Sequence, residues 1–354
     1  MWQLQMNEDK LIFSLKMIKK NINYALSLSD DKNSITGYNL LPILLESASC
    51  NTYIETVSNK ADIFYLRCKE SLISIMENAY LNYIKGISNK FKLNEKEVIL
   101  AFDYTDEDFY GEVQGFDIHG WTGKDAITGH FKFLTCSIVS DDIPEKIPLI
   151  SIPIRLGHYK SSVILHCLSL IKGYIGKIKL ILFDRGFYDN DLMFELTKLN
   201  YPFLIFVPKR KEYKQLFEEL EEKQTIFVHD YTFKKDMSTW EGEAYLAFLK
   251  QIYDKRSNKN YDWIFATNVE KIVLSNMLMT YKKRWRIETQ FRVQDEAKIK
   301  CKSKEMKIRY FLFLFEQMLQ TIWICFYKDE VPFKEFLIQL SNTSKKWVKS
   351  QDNR

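Results

Sequence analysis

Two short apolar runs, each closed by an aspartate, constrain the fold of this chain more than any other feature. The first is VILAFD, residues 98–103, and the second is IKLILFD, residues 178–184. Apolar runs of this length without alternating polar residues are typical of strands that are buried on both faces of a sheet. Three further strands are predicted at FKFLTCSIVS (131–140), PLISIPIR (148–155) and FLIFVPK (203–209).

Helical spacing of apolar residues surrounds and separates these strands. Residues 1–95 show it repeatedly, and helices are also predicted at about 159–174 and 191–200, between strands. Residues 210–270 contain charged helical pieces and short strand-like pieces, and the chain is helical again from about 272. Strands that alternate with helices predict an α/β (α+β) chain, in which helices cover a mixed sheet.

Composition allows a large core and points to one class of partner. The chain has 354 residues, of which 46% are hydrophobic. Its net charge is only +5, but residues 271–310 hold 12 Lys and Arg against 4 Asp and Glu, a local net charge of +8. A local excess of positive charge suits a polyanion such as nucleic acid, although a solvated helix face would look the same.

Cysteine spacing and hydropathy exclude other classes. The six cysteines include no C-x-x-C pair, so a zinc site is not expected, and no secretory signal precedes them. The most apolar late segment, residues 311–327, is interrupted by Glu316, Gln317 and Gln320 and is short for a membrane span. We therefore expect a cytoplasmic protein without membrane association.

The two terminal aspartates predict a cation site. Asp103 and Asp184 would emerge at the carboxyl ends of their strands, and if those strands are neighbours the carboxylates repel unless a cation lies between them. Mg²⁺ or Mn²⁺ suits such oxygen ligands. Glu288, inside the basic stretch YKKRWRIETQFRVQDEAKIK (281–300), is a candidate third ligand.

Each of these acidic residues also has an ordinary structural explanation. An aspartate at a strand end is often a turn or capping residue. Glu288 could be a solvated ion-pair partner of its basic neighbours. Three other acidic residues follow the first site closely, and we expect them in a solvated loop: Asp106, Glu107 and Asp108.

Together these residues resemble a known family, the DDE transposases, which have a ribonuclease-H-like core. Tyr281-x-x-Arg284-x-x-x-Glu288 matches the signature of the insertion-sequence-4 superfamily of transposases. The blocks AFDYTDEDFYGE and LFDRGFYDNDLM, around the two aspartates, are similar to those of the family. One departure is that Asp295 stands where the signature has a lysine; the nearest lysine is Lys298.

The resemblance implies a function, a cofactor and partners. It implies metal-dependent hydrolysis at transposon ends and strand transfer into target DNA, with Asp103, Asp184 and Glu288 holding two Mg²⁺ or Mn²⁺ ions. Asp103 would bridge the two ions. The implied partners are double-stranded DNA and a second protomer in the synaptic complex, in the nucleoid of a prokaryotic cytoplasm. The implied DNA contacts are Tyr281, Arg284, Arg292 and Lys298.

The expected organisation has five parts. A helical region, residues 1–95, would precede the first part of the ribonuclease-H-like core, residues 96–209. The resemblance implies that a strand-rich insertion, 210–270, then interrupts the core, which resumes with the catalytic helix at 271–330 and ends in a tail, 331–354.

Alternatives to a transposase share parts of the same pattern. A ribonuclease-H-like nuclease or resolvase would use the same three carboxylates but only cleave. An inactive, DNA-binding transposase derivative would fit the departure at Asp295. A glycosidase with two catalytic carboxylates would leave the basic helix unexplained.

Overall fold

In the computed structural model, nine strands of the described residues form one mixed sheet, in the order β2-β3-β1-β5-β6-β9-β8-β7, with β4 paired to β3. The structure describes residues 6–28, 36–120, 126–143, 146–219, 226–234, 241–254, 258–269 and 274–352. The strands are β1 (Val98–Phe109), β2 (His119–Gly120), β3 (Gly129–Ile138), β4 (Ile147–Ile154), β5 (Ile178–Phe183), β6 (Phe203–Phe206), β7 (Ile226–Lys234), β8 (Glu241–Asp254) and β9 (Lys259–Thr267).

Helices cover this sheet. They are α1 (Glu8–Ala25), α2 (Gly37–Cys50), α3 (Ile54–Val57), α4 (Ala61–Glu70), α5 (Ile73–Phe91), α6 (Lys160–Ile171), α7 (Asn190–Lys198), α8 (Lys211–Glu219), α9 (Leu274–Lys282), α10 (Trp285–Gln294), α11 (Met306–Phe326) and α12 (Phe333–Asp352). The predicted mixed α/β class is therefore confirmed.

The central strands combine antiparallel and parallel pairing. β3 runs antiparallel to both β1 and β4, whereas β5 is parallel to β1 and β6 is parallel to β5. β9, β8 and β7 continue the same sheet beyond β6 in antiparallel pairing. The five-part division of the chain stays a prediction.

β1 is longer than the apolar run that predicts it. Its first five residues are buried, and the strand then continues as far as Phe109, paired with β3 down to Asp108 opposite His130. Asp106 lies 3.6 Å from Lys132 Nζ, and Asp108 lies 3.2 Å from His130 Nδ1. Our expectation of a loop at residues 106–108 was wrong, because these residues pair with β3 as part of β1; Asp106 and Asp108 are exposed as expected, whereas Glu107 is not.

The long helix α11 is buried along nearly its whole length. Phe313 stacks on Phe133 of β3 with the ring centres 4.4 Å apart, and Gln317 Oε1 accepts a 2.6 Å hydrogen bond from Ser151 of β4. Buried polar side chains are thus bonded to the sheet beneath. Among the helices that the structure describes, none is long and apolar enough to cross a membrane.

The first helices pack against the last one. The backbone N–H of Met6 donates to Gln339 Oε1 at 3.0 Å, and the hydroxyls of Ser14 and Tyr327 lie 2.8 Å apart. Lys334 in α12 also bonds the side chain of Asn51, at the end of α2. Helices from both parts of the sequence therefore share one core.

One buried acid in this core makes stability depend on pH. Glu77 of α5 is 8% exposed, and burial raises its pKa from 4.5 to about 7. The unfolded chain loses this proton first as pH rises, so the unfolding free energy falls between about pH 4.5 and 7. At about 1.4 kcal/mol per pKa unit, discounted for remaining contact with water, the loss is roughly 2 kcal/mol.

Glu77→Gln is expected to remove that loss, so that the variant is more stable than the wild type at pH 8 and not at pH 4. Urea unfolding at both pH values measures this, with the exposed Glu95→Gln as the control. Equal pH dependence in wild type and Glu77→Gln would contradict the assignment.

Candidate active site

Asp103 and Asp184 lie side by side on adjacent parallel strands. The register pairs Ala101 of β1 with Leu182 of β5, so two residues later the two aspartates stand at the same level. The residues just before them, Phe102 and Phe183, stack with their ring centres 5.3 Å apart, which holds the two strand ends in alignment. Asp184 also accepts a 2.7 Å hydrogen bond from the N–H of Gly186, which begins the following turn.

Glu288 is joined to this pair by a single guanidinium. Arg284 Nη1 donates to Asp103 Oδ2 at 2.9 Å, and Arg284 Nη2 donates to Glu288 Oε1 at 2.7 Å. Arg284 is 6% exposed, whereas the side chain of Glu288 is 55% exposed. The arginine therefore lies under the glutamate and neutralises part of the negative charge of the two carboxylates.

The chain carries these residues on two helices instead of the single helix that the signature spacing predicts. α9 ends at Lys282 and α10 begins at Trp285. The backbone between them makes i to i−3 hydrogen bonds, from Arg284 N–H to Tyr281 O and from Ile287 N–H to Arg284 O, both 2.9 Å. This tighter turn changes the angular offset between Tyr281 and Glu288 from that of a continuous α-helix.

Burial dominates the electrostatics of Asp103. It raises the pKa of Asp103 from 3.8 to about 6; Arg284 acts in the opposite direction, and the negative charge of Asp184 adds to the increase. Ionisation of the Asp103 carboxyl group therefore costs free energy unless a cation lies nearby. Arg284 supplies one positive charge against three carboxylates, so the site can accept an additional cation.

Tyr281 is buried, with 2% exposure, in a second apolar cluster with Phe206 and Phe265. The guanidinium carbon of Arg284 lies 5.7 Å from the centre of its ring. Burial raises the pKa of the Tyr281 hydroxyl to about 12, so it stays neutral. The signature tyrosine therefore supports the arginine from below and presents little surface to a ligand.

Other basic residues of this region have protein partners. Lys283 and Arg286 both pair with Asp141 at 2.5 Å, and Arg286 Nη1 also donates to the carbonyl of Val139 at 2.9 Å. Part of the local positive charge therefore fastens α10 to the segment after β3. Arg292 is exposed, and it donates a long hydrogen bond, 3.4 Å, to Thr289 in the same helix.

Lys298 lies among acidic groups. Burial alone would lower its pKa, but the negative charges of Glu107 and Asp295 outweigh burial, and the pKa is raised. Asp295, at the position of the signature lysine, is exposed and follows directly after α10. The ammonium of Lys298 therefore has carboxylates beside it already.

The carboxylates suit a hard divalent cation in their chemistry. All three candidates offer oxygen ligands, and a guanidinium already stands between Asp103 and Glu288 as a positive counter-charge. Within the described ranges, however, no three His, Cys, Asp or Glu side chains converge closely enough to hold a metal ion as they stand. The donor set fits a metal, and its side chains would have to close around it.

Sequence analysis missed a buried ionic cluster next to this site. Arg309 of α11 is 5% exposed and pairs with Glu107 of β1 at 3.2 Å. Glu316, one further α11 residue with 3% exposure, accepts a 2.7 Å hydrogen bond from the N–H of Ile299. A signal was available, because Arg309 and Glu316 are charged residues seven apart in a mostly apolar helix, which places them on one face.

Comparison with known proteins agrees with this geometry. Residues 159–323 match the family described as the transposase DDE domain, a span that includes Asp184 and Glu288 and begins after Asp103. No curated protein matches the sequence significantly. Among solved structures, the fold is similar to that of a piggyBac transposase in a cryo-EM synaptic complex with hairpin DNA. The TM-score is 0.57 at 13% identity, covering 97% of this chain and 82% of that one, which shows a shared fold.

Proposed function

We propose that this chain is a metal-dependent DDE transposase of an insertion sequence, within the insertion-sequence-4 superfamily. One observation carries the proposal: Asp103 lies on β1 at the level where Asp184 follows the neighbouring parallel strand β5, and Arg284 ties Glu288 to Asp103. The match of residues 159–323 to the transposase DDE domain supports it, as does the fold shared with a known transposase.

The three carboxylates would hold two Mg²⁺ or Mn²⁺ ions, with Asp103 shared and Asp184 and Glu288 each bound to one. Such ions supply an activated oxygen nucleophile and stabilise the leaving oxygen of an in-line phosphoryl transfer. β1 and the turn that follows β5 carry Asp103 and Asp184, whereas Glu288 is on an exposed helix face and can adjust its side chain. Glu288 would complete the site last.

Arg284 has two roles in this proposal. Before the site is filled, it compensates the charge of Asp103 and Glu288 and keeps them together. Its Nε–H is buried and, within the described part of the chain, has no hydrogen-bond partner. With the carboxylates bound to metal, the N–H donors of Arg284 would be available to the non-bridging oxygens of the scissile phosphate.

The other residues proposed to contact double-stranded DNA differ in how far their side chains are exposed and free to reach it. Arg292 is exposed and can reach a backbone phosphate directly. Tyr281 is buried, so we assign it the support of Arg284. Lys298 would have to leave Glu107 and Asp295 to contact DNA, which makes it the weaker of the two cations.

The proposed cellular setting follows the function. Two protomers would bring two transposon ends together before cleavage. The complex would work on the nucleoid, in the cytoplasm of a prokaryotic cell. A piggyBac transposase of similar fold has been solved in a synaptic complex with hairpin DNA.

A cleavage and joining assay tests the function. The purified protein would be incubated with Mg²⁺ or Mn²⁺ and DNA that carries the ends of its own element, beside Glu288→Gln. We expect metal-dependent nicking and joining by the wild type, and a loss of at least about 10³-fold in rate in the variant because a metal ligand is gone. Glu296→Gln is the matched control, since Glu296 lies close in sequence and is exposed.

The other outcomes separate the alternatives. Cleavage without joining by the wild type would favour a nuclease or resolvase. DNA binding without any cleavage would mean an inactive derivative. Equal activity in Glu288→Gln and the wild type would remove Glu288 from the site.

A further inference from the structure

A second cationic feature lies beyond the catalytic helix. Residues 298–304, KIKCKSK, carry a lysine at every second position. The segment leaves the turn after α10 and runs beside the loop between α2 and α3, where the Lys300 N–H donates to Thr52 O at 3.1 Å. Tyr53 and Lys300 form a parallel bridge there. We call Lys300, Lys302 and Lys304 the lysine row.

Two buried, charged side chains of α11 form hydrogen bonds to the backbone of this segment. The Ile299 N–H bonds to Glu316, and Arg309 donates to the carbonyls of Cys301 and Ser303 at 3.0 and 2.7 Å. Three successive odd-numbered residues are thus fixed to α11. In an extended segment alternate side chains face opposite ways, so the even-numbered lysines face outward, and all three members of the row are exposed.

The positive charges of the lysine row are available to bind an anion. Among the residues that the structure describes, no carboxylate forms an ion pair with Lys300, Lys302 or Lys304; the nearest partner is the ring of Tyr53, 4.7 Å from Lys302 Nζ and 6.0 Å from Lys300 Nζ. Arg309, beneath, already has Glu107 as its partner. The charge of the row therefore faces solvent.

The row forms one wall of a cleft of about 800 Å³. The opposite wall comes from the end of β1 and the residues after it, including Tyr110, Glu112 and Asp108. Asp108 lies 3.2 Å from His130 Nδ1. Glu112 is therefore the main negative charge that faces the lysine row. Alternate residues of an extended segment are about 6.6 Å apart, so the row offers a line of charges suited to a linear polyanion.

The cleft and the candidate active site lie at different points along β1. β1 carries Asp103 at the site and Glu107 at the cleft, four residues or roughly 13 Å further along the strand. α10 likewise carries Glu288 at one end and leads to the row at the other. A DNA helix cut at the carboxylates would thus pass the row at about four base pairs or more from the cut.

We propose that Lys300, Lys302 and Lys304 bind backbone phosphates of the DNA that flanks the scissile bond. This inference rests on the proposed function, because it takes its partner from the DNA held at the carboxylates. The row contributes affinity without sequence preference, since lysine contacts to phosphates position the duplex and do not read bases.

The triple variant Lys300→Gln, Lys302→Gln, Lys304→Gln tests the proposal by the salt dependence of DNA binding. Each phosphate contact contributes about 0.9 to the slope of log Kd against log salt concentration, so the slope is expected to fall by roughly 2 to 3. Hydroxyl-radical protection should be lost about four base pairs or more from the cut and kept at the cut itself. Thermal unfolding of the variant, expected to match the wild type, checks the fold.

A matched control removes the same charge elsewhere. Lys172, Lys177 and Lys179 are exposed around the start of β5, at the opposite end of that strand from Asp184. Their triple Gln variant should keep the wild-type slope. An unchanged slope in the row variant, or an equal fall in both variants, overturns the proposal.

The same assay separates this proposal from the proposed function. If the wild type cleaves DNA and the row variant binds it with the wild-type slope, the lysine row alone is refuted. If the row variant loses slope while the wild type never cleaves, the row is supported and the catalytic proposal fails. If the wild type does not bind DNA at all, both fail.

Discussion

Asp103→Asn is expected to abolish cleavage at transposon ends while the protein stays folded. Asp103 is the proposed shared ligand of both metal ions, so its loss removes several kcal/mol of transition-state stabilisation, which corresponds to at least about 10³-fold in rate. The fold should persist, because burial already favours the neutral form of this side chain and raises its pKa to about 6. Single-turnover cleavage and thermal unfolding of the same preparation measure the two effects.

Asp106→Asn is the control for this experiment. Asp106 lies on the same strand, faces the opposite way and is exposed near Lys132. Its variant should cleave within about twofold of the wild type, since an exposed pair contributes little. Parallel losses in both variants would point to damage to β1 and would speak against a catalytic role for Asp103.

Arg309→Met is expected to cause the largest loss of stability. The arginine is 5% exposed, pairs with Glu107 and bonds the carbonyls of Cys301 and Ser303. Its removal leaves Glu107 buried without that partner and two carbonyls without a donor, which costs about 3–5 kcal/mol. Urea unfolding at pH 7 would measure the change in unfolding free energy.

A double variant and a surface pair complete that test. Glu107→Gln combined with Arg309→Met should be more stable than Arg309→Met alone, because the unpaired buried charge is gone. Arg67→Met breaks an exposed pair with Glu70 and should cost at most about 0.5 kcal/mol. Additive losses in the double variant would show that Glu107 and Arg309 are not coupled.

Local patterns in the sequence were enough to predict the strands that carry the aspartates. The run VILAF is buried on both faces and the run IKLILF over its last four residues, and each run is followed at once by an acidic residue that interrupts the apolar pattern. The mixed α/β class followed from their alternation with helices and is confirmed by the sheet order. The roles of Asp103, Asp184 and Glu288 stay predictions for the assays above.

Contacts between distant segments could not be predicted. Glu107 looked solvated because its neighbours in sequence are acidic, yet its partner, Arg309, is 202 residues away. Similarly, a signature spaced for one helix gave no sign of the tight turn between α9 and α10. The partner of Glu107 was set by tertiary packing, and one sequence without pairing information carries little of it.

The contact between the first and last helices has a consequence for synthesis in the cell. Ser14 can form its hydrogen bond only after Tyr327, 313 residues later, has been synthesised. Asn51 likewise needs Lys334. At about 5–20 residues per second, a ribosome needs roughly 15–60 s to supply those partners. Over that time the surfaces of α1 and α2 that α12 covers stay exposed, so we expect the nascent chain to bind chaperones.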